Sequence, residues 1–182
     1  MRVDRRGLFL LGAALALSAC SRGSAPSPLG PSAAQTLVVS SSAFAGGGTI
    51  PAEFTCAGAG RRPPLAWSGD LGGAKAIAVV VDDPDAPGGD YYHWTVVDLP
   101  ADITGLGDEI PAVAHQIKNS AGAATWTPPC PPSGTHHYQF TVYGLTAPTG
   151  LTGDASLSDA FAAIQKTTVV QGRLIGLVTH QG

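Results

Sequence analysis

Residues 136–145 read His136-His137-Tyr138-Gln139-Phe140-Thr141-Val142-Tyr143-Gly144-Leu145, an alternation of period two. Successive side chains of a strand point to opposite faces. His136, Tyr138, Phe140 and Val142 therefore share one face, and His137, Gln139 and Thr141 share the other. Phe140 and Val142 mark the first face as the core side, so His136 and Tyr138 stand on the buried side at the start of the strand. Residues 74–82, AKAIAVVVD, form a second strand, near-continuous in apolar side chains. Along it Ile77, Val79, Val81 and Asp83 share a face, and Asp83 ends that apolar row with a carboxylate. A third strand covers 92–99, YHWTVVDL, where parity groups His93 with Thr95 and Val97.

Outward from these strands the chain offers a short β-type run at 36–41 and a closing strand at 173–179. Gly and Pro punctuate the intervals at 46–48, 63–64, 84–89 and 128–134. One helix is expected. Ser156-Leu157-Ser158-Asp159 resembles a capping box with Asp in place of Glu. Leu157, Phe161 and Ile164 fall on one helical face, and the β-branched run 167–170 should end it. The pattern is mostly β: an antiparallel sandwich with one or two helices near the C-terminus.

The whole chain agrees. Its 24 Gly and 15 Pro together outnumber the 10 basic and 13 acidic residues among 182. That composition excludes a coiled coil or a long-helix bundle. A net charge of −3 excludes a nucleic-acid binder with a broad basic face.

Residues 1–19 read as a lipoprotein signal peptide. Arg2, Arg5 and Arg6 precede an apolar run from Gly7 to Leu17, and Leu17-Ser18-Ala19-Cys20 has the form of a lipobox. The run is too short for a stable membrane span, which needs about 20 residues. Cys20 is thus the expected lipidation site. An ordinary signal peptide with a coincidental cysteine is the alternative, and Arg5-Arg6-Gly7-Leu8-Phe9 also resembles a twin-arginine export signal. Residues 20–35 read as the lipidated cysteine plus a flexible Ser/Pro/Gly/Ala tether, and 36–182 as the folded domain. Without residues 1–19 the chain keeps seven basic and twelve acidic residues, a net charge of −5. A body of that sign is not drawn to an anionic bilayer, so the anchor must hold it at the membrane. The expected location is the bacterial cell membrane, after export.

Three strands place a polar group beside an inward apolar row. Leaving such groups unpaired costs several kcal/mol, so a shared pocket at the rim of the sandwich is the economical arrangement. Asp83-Pro84-Asp85-Ala86-Pro87 supports it, because two prolines stiffen the loop that carries two carboxylates. A solvated turn with its Asp side chains capping backbone N–H groups is the competing account.

Asp83-Pro84-Asp85-Ala86-Pro87, then His93-Trp94, then Pro128-Pro129-Cys130-Pro131-Pro132-Ser133-Gly134-Thr135-His136-His137-Tyr138 resembles the phosphatidylethanolamine-binding protein family. The bacterial Raf-kinase-inhibitor-like branch is the nearest likeness, over roughly residues 36–180. The resemblance implies a Greek-key β-sandwich with a small anion pocket at one end. It implies Asp83, Asp85, His93, His136 and Tyr138 as pocket residues, with Pro87, Tyr91 and Trp126 at the rim. The ligand class implied is phosphate, phosphoethanolamine or a similar small anion. One position departs from the family pattern: His137 stands where the family has Arg. Parity places it on the outer face, so outer packing or charge should change rather than the pocket, and the proline-rich loop should be looser if that Arg organises it.

Carboxylates repel an anion. The expected resolution is that Asp83 or Asp85 orients and charges a histidine. The imidazolium, the Tyr138 hydroxyl and N–H groups of the 128–135 loop then donate to the anion.

The function expected is non-catalytic binding of a small anionic or phosphorylated ligand by a membrane-anchored envelope protein. No cofactor, metal or nucleic acid is expected. A protein-interaction module that inhibits a kinase or protease is one alternative, since relatives in this family do so. A metal-dependent hydrolase using the Asp and His residues is another; no HExxH, CxxC or GxSxG motif is present. Cys130 lies near His136, but with Cys20 acylated, Cys56 and Cys130 remain as an even pair in an oxidising compartment. They are the candidate disulfide, subject to their Cα atoms lying within reach. His115 and His180 read as surface residues, Trp67 and Trp94 as core.

Overall fold

The computed structural model describes Met1 and residues 37–181. The signal peptide, Cys20 and the tether therefore lie outside the described residues. Among the described residues no helix is long and apolar enough to cross a membrane.

Two antiparallel sheets and one helix make three layers. The smaller sheet has the order β1-β2-β5, from β1 (Val38–Ser40), β2 (Leu65–Ser68) and β5 (Gly105–Leu106). The larger has the order β6-β4-β3-β7-β8. Its strands are β3 (Ala76–Asp83), β4 (Tyr91–Pro100), β6 (His115–Ile117), β7 (Thr135–Leu145) and β8 (Thr168–Thr179). The helix α1 (Leu157–Thr167) lies against the outer face of that sheet.

This layering explains why β3 reads as an unbroken apolar run. All eight of its residues are buried, because it is the middle strand of a sheet covered on both faces. Ile77, Val79 and Val81 pack between the sheets with Phe140, Val142, Trp94 and Trp67. Ala76, Ala78 and Val80 pack under the helix with Phe161 and Ile164. Trp67 and Trp94 are core residues as expected.

The helix starts where the sequence indicates. The Ser156 hydroxyl oxygen accepts from the Asp159 N–H at 3.1 Å. The Asp159 carboxylate accepts the Ser156 hydroxyl at 2.7 Å, whereas a full capping box would have it reach the backbone N–H. The β-branched run ends the helix as expected. The strand then begins at once, at Thr168, instead of at the expected 173. Among the described residues there is one α-helix, within the one or two expected, and it precedes the last strand.

Glycines in β8 admit the chain that crosses it. A Cβ on Gly172 would lie 2.2 Å from the Leu37 carbonyl oxygen, and one on Gly176 would meet Ile50 and Phe44 at 2.6 and 2.7 Å. The segment 47–50 hydrogen-bonds along β8, with Gly47 and Ile50 N–H groups on the Ile175 and Leu177 carbonyls, each at 2.8 Å.

Two irregularities of register set which way β4 side chains point. Val81 pairs Trp94 while Asp82 pairs Tyr92, so His93 is an extra residue on β4. Such a bulge re-aims a side chain. Tyr92 packs under the helix, Trp94 packs between the sheets, and His93 turns to the same side as Trp94. A second irregularity lies at Asp98, which adopts φ 61°. Its carboxylate accepts from the N–H groups of Thr149 and Gly150 at 2.6 and 2.9 Å, which holds the turn that leads to the helix.

Candidate functional site

A cavity of about 290 Å³ opens at the end of the large sheet where β3 and β4 meet the start of β7. Asp83, His93, His136 and Tyr138 line it, with Pro87 and Tyr91 toward its mouth. Four of the five expected pocket residues are therefore brought together, with two of the three expected rim residues, Pro87 and Tyr91.

Asp83 terminates the inward row of β3. One of its carboxylate oxygens accepts the Asp85 N–H at 2.9 Å and closes the turn of the Asp-Pro-Asp loop. The other accepts from His136 Nδ1 at 2.7 Å, with both side chains under a tenth exposed. His136 is thus fixed in orientation, and Nε2 is its remaining ring nitrogen.

His93 reaches the cavity because of the bulge, not by parity. Strict alternation groups it with Thr95 and Val97, yet Val97 packs under the helix on the opposite face. The ring lies edge-on to Tyr138, with centroids 5.2 Å apart. Its Nδ1–H donates to the Thr127 carbonyl at 2.9 Å, which leaves Nε2 as an acceptor. Burial holds the His93 pKa below the ordinary histidine value, against the opposing pull of Thr127 and Asp83. His93 is therefore not the carboxylate-oriented histidine of the expectation; His136, held by Asp83, takes that place.

The Tyr138 hydroxyl is fully buried, and among the described residues no well-aligned hydrogen bond reaches it, although the Asp83 carboxylate and the Cys130 backbone lie beside it. Burial and the neighbouring Asp83 charge both push its ionisation upward, so it stays a neutral donor.

Three expected features differ. Asp85 does not line the cavity. Its carboxylate accepts from both the backbone N–H and Nδ1 of His137, at 2.8 and 2.7 Å. Burial opposes ionisation of Asp85, but the hydrogen bonds from His137 prevail and hold its pKa below the usual value. His137 points outward, as parity indicates, and there it ties the Asp-Pro-Asp loop to β7. Trp126 is not at the rim either. It donates to the Gly60 carbonyl at 3.0 Å and stacks on Phe140 in the core. Finally, the 128–135 loop offers few N–H donors, because four of residues 128–132 are proline.

That loop is instead a wall. Cys56 and Cys130 form a disulfide with Cα atoms 5.4 Å apart, and Cys130 lines the cavity. The Cys56 N–H donates to the Pro129 carbonyl at 3.0 Å beside it. His115 is exposed; His180 is exposed too, but its Nδ1 bonds the Pro131 carbonyl at 2.9 Å.

Asn119 was not legible in the sequence. It is buried, and its side-chain oxygen accepts from the Ala121 and Ala123 N–H groups at 3.0 and 3.1 Å. Its amide donates to the Thr125 carbonyl and the Thr127 hydroxyl at 2.9 and 2.8 Å. The loop that presents the Thr127 carbonyl to His93 is knotted by this one side chain. Nothing in the local sequence separates it from an ordinary turn asparagine.

A small preformed cavity at one end of a two-sheet sandwich is the kind of place where small-molecule sites are found. The family model described as "Phosphatidylethanolamine-binding protein" matches residues 40–179, and the chain belongs to that family. It is 39% identical over 198 residues to "UPF0098 protein Mb1945c" of Mycobacterium bovis, covering 98% of this chain and 95% of that protein. It is 43% identical over 147 residues to "Putative lipoprotein LppC" of Mycobacterium tuberculosis, covering 79% of this chain and 73% of that one. Among solved structures, E. coli YbcL, titled a new member of the mammalian PEBP family, superposes with a TM-score of 0.75 at 30% identity, covering 80% of this chain and 99% of that one. Mostly β architecture, two antiparallel sheets and family membership agree with the sequence reading.

Proposed function

We propose that this protein is a lipid-anchored envelope protein that binds a small phosphorylated or anionic ligand in the cavity between Asp83, His93, His136 and Tyr138, without turnover. The observation that carries the reading is the convergence of the Asp83–His136 pair, the His93 ring and the Tyr138 hydroxyl on one cavity wall. The Tyr138 hydroxyl makes no well-aligned hydrogen bond among the described residues, so it can donate to an acceptor on the ligand. Both Asp83 oxygens are already engaged, which reduces the repulsion that a free carboxylate would exert on an anion.

Neutral His93 refines the ligand. With Nδ1–H held by Thr127, its Nε2 needs a hydrogen from the ligand. A phosphomonoester in its singly charged form supplies both sides of this pattern, a P–OH for Nε2 and oxygens for the Tyr138 hydroxyl. Phosphoethanolamine supplies an ammonium as well. The metal-dependent alternative has little to rest on: among the described residues no group of three or more His, Cys, Asp or Glu is placed to hold an ion. The anchor rests on the lipobox and on the name of the mycobacterial relative.

Calorimetric titration with phosphoethanolamine between pH 5 and 8 tests this reading. The second phosphate ionisation lies near pH 6. Affinity should fall about tenfold per pH unit above it and vanish in Tyr138→Phe combined with His136→Ala. Affinity that is flat or rises across that range removes the proposed ligand form.

A further inference from the structure

The proline-rich wall of the cavity supplies few ties of its own. Pro128, Pro129, Pro131 and Pro132 have no N–H to donate. The donors that hold this segment come from elsewhere in the chain. The Cys56 N–H bonds the Pro129 carbonyl at 3.0 Å, and the His180 N–H bonds the Gly134 carbonyl at 2.7 Å. The His180 ring Nδ1 meets the Pro131 carbonyl at 2.9 Å, and His180 is exposed. The covalent tie is the disulfide, which joins Cys130 to Cys56 at a sequence separation of 74.

Both cysteines are exposed. Exposed bridges are open to thiolate attack and are the more readily reduced ones, whereas structural bridges of secreted proteins resist thiol reductants. Both cysteines also line a second cavity of about 630 Å³, with Ile50, Pro51 and Val178, so there is open space beside the bridge. Cys130 lines the candidate ligand cavity as well, together with His136 and Tyr138. Its backbone lies beside the Tyr138 hydroxyl. One sulfur–sulfur bond thus stands between a space that a reductant can enter and the polar wall of the ligand site.

We propose that the Cys56–Cys130 bridge is a reversible thiol–disulfide exchange site that latches this wall, so that reduction by thiols loosens the adjoining cavity and weakens the hold on its ligand. The effect on the ligand rests on the anion reading above and adds its control. A first thiolate attacks one bridge sulfur. The Cys56–Cys130 bond breaks, a mixed disulfide forms, and the other cysteine leaves as a thiolate. A second thiolate attacks the reductant's sulfur in the mixed disulfide, which frees the second cysteine and releases the reductant as its own disulfide. Two thiols are thus oxidised, and Cys56 and Cys130 take up the two electrons and two protons they give up. The wall is then held by the Cys56 N–H and by His180 alone among the ties named above. Movement at Cys130 reaches the ligand site at the Tyr138 hydroxyl beside it.

The test uses the full chain carrying Cys20→Ser, in which Cys56 and Cys130 are the remaining cysteines. It is equilibrated in glutathione buffers from oxidised to reduced, and bridge opening is read by thiol alkylation and mass. The bridge should open in the folded chain in reduced buffer and close again in oxidised buffer. Phosphoethanolamine should bind the reduced chain at least about tenfold more weakly than the oxidised one, and exchange of the Cys56 and His180 amides should quicken by at least about tenfold. Cys56→Ser with Cys130→Ser should match the reduced chain in every buffer. A bridge that stays closed in reduced glutathione overturns the proposal, as does a reduced chain whose thermal melt shows it unfolded, since the bridge is then purely structural. Equal phosphoethanolamine affinity before and after reduction also overturns it and leaves the anion reading standing. No binding by the oxidised chain overturns the anion reading instead. Amide exchange that reduction leaves unchanged overturns the latch with or without a ligand.

Discussion

The two aspartates of the Asp-Pro-Asp loop each hold a histidine of β7 at the same distance, 2.7 Å, yet the two pairs stand in different surroundings. In the Asp83–His136 pair the side chains are 5% and 8% exposed. In the Asp85–His137 pair they are 41% and 54% exposed. Side-chain parity along β7 makes the difference, since neighbouring residues of a strand face opposite ways. The same bond is a component of the cavity on one face and a surface clasp on the other. Distance alone therefore says little about what an Asp–His contact does.

Removing one partner of each pair separates them most sharply. His136→Ala leaves the Asp83 carboxylate buried with half of its partners gone, a change that costs about 3–5 kcal/mol for buried pairs. Denaturant unfolding should show that loss. A loss below about 1 kcal/mol would mean that water or a rearranged loop replaces the imidazole and that the buried pair is no stronger than a surface one.

A third carboxylate sharpens the comparison. Asp82 neighbours Asp83 but faces the other side of β3, where it has no histidine. Burial pushes its pKa from 3.8 up to about 7, Arg173 pulling down and Asp90 and Asp83 adding to the rise. Tyr92, whose hydroxyl engages Asp90, Tyr143 and Thr141-bonded Arg173 complete its surroundings. A raised folded-state pKa means that the native state keeps a proton the unfolded chain releases. Stability from this group is then full below pH 3.8 and is lost as pH rises toward 7. Asp82→Asn removes that dependence. Its advantage over the parent should grow from near zero at pH 4 to about 4 kcal/mol at pH 8. Urea melts at five pH values measure it, and a difference that stays constant with pH would exclude Asp82 as the group responsible.

These contrasts also show what a sequence carries and what it does not. β3, β4 and β7 are legible because they are long, and their apolar rows name the core directly. β2, β5 and β6 have four, two and three residues, too few for a period to show. The motif residues Asp83, His136 and Tyr138 follow from parity and from the family resemblance together. His93 does not follow from parity, since one extra residue in β4 reverses its face. Asp83 and Asp85 look equivalent in the motif, and their division of labour appears only with the loop folded. Asn119 acts through backbone groups, which leave no mark on neighbouring residue types.

The smallest expected effect lies at the outer pair. His137→Ala removes the ring that holds Asp85, but water reaches both side chains, and exposed pairs contribute about 0.2–1 kcal/mol. The backbone N–H of residue 137 still bonds Asp85, so the loop keeps one of its two ties. Unfolding should shift by less than about 1 kcal/mol. Phosphoethanolamine affinity should fall by no more than a few-fold, because Asp83 holds the Asp85 N–H from the inner side at the same time. His137→Arg again offers a side-chain donor to Asp85 and should recover the loss. A tenfold loss of affinity in His137→Ala would instead show that the outer clasp sets the position of Asp83, and that the two pairs act as one unit through the turn they share.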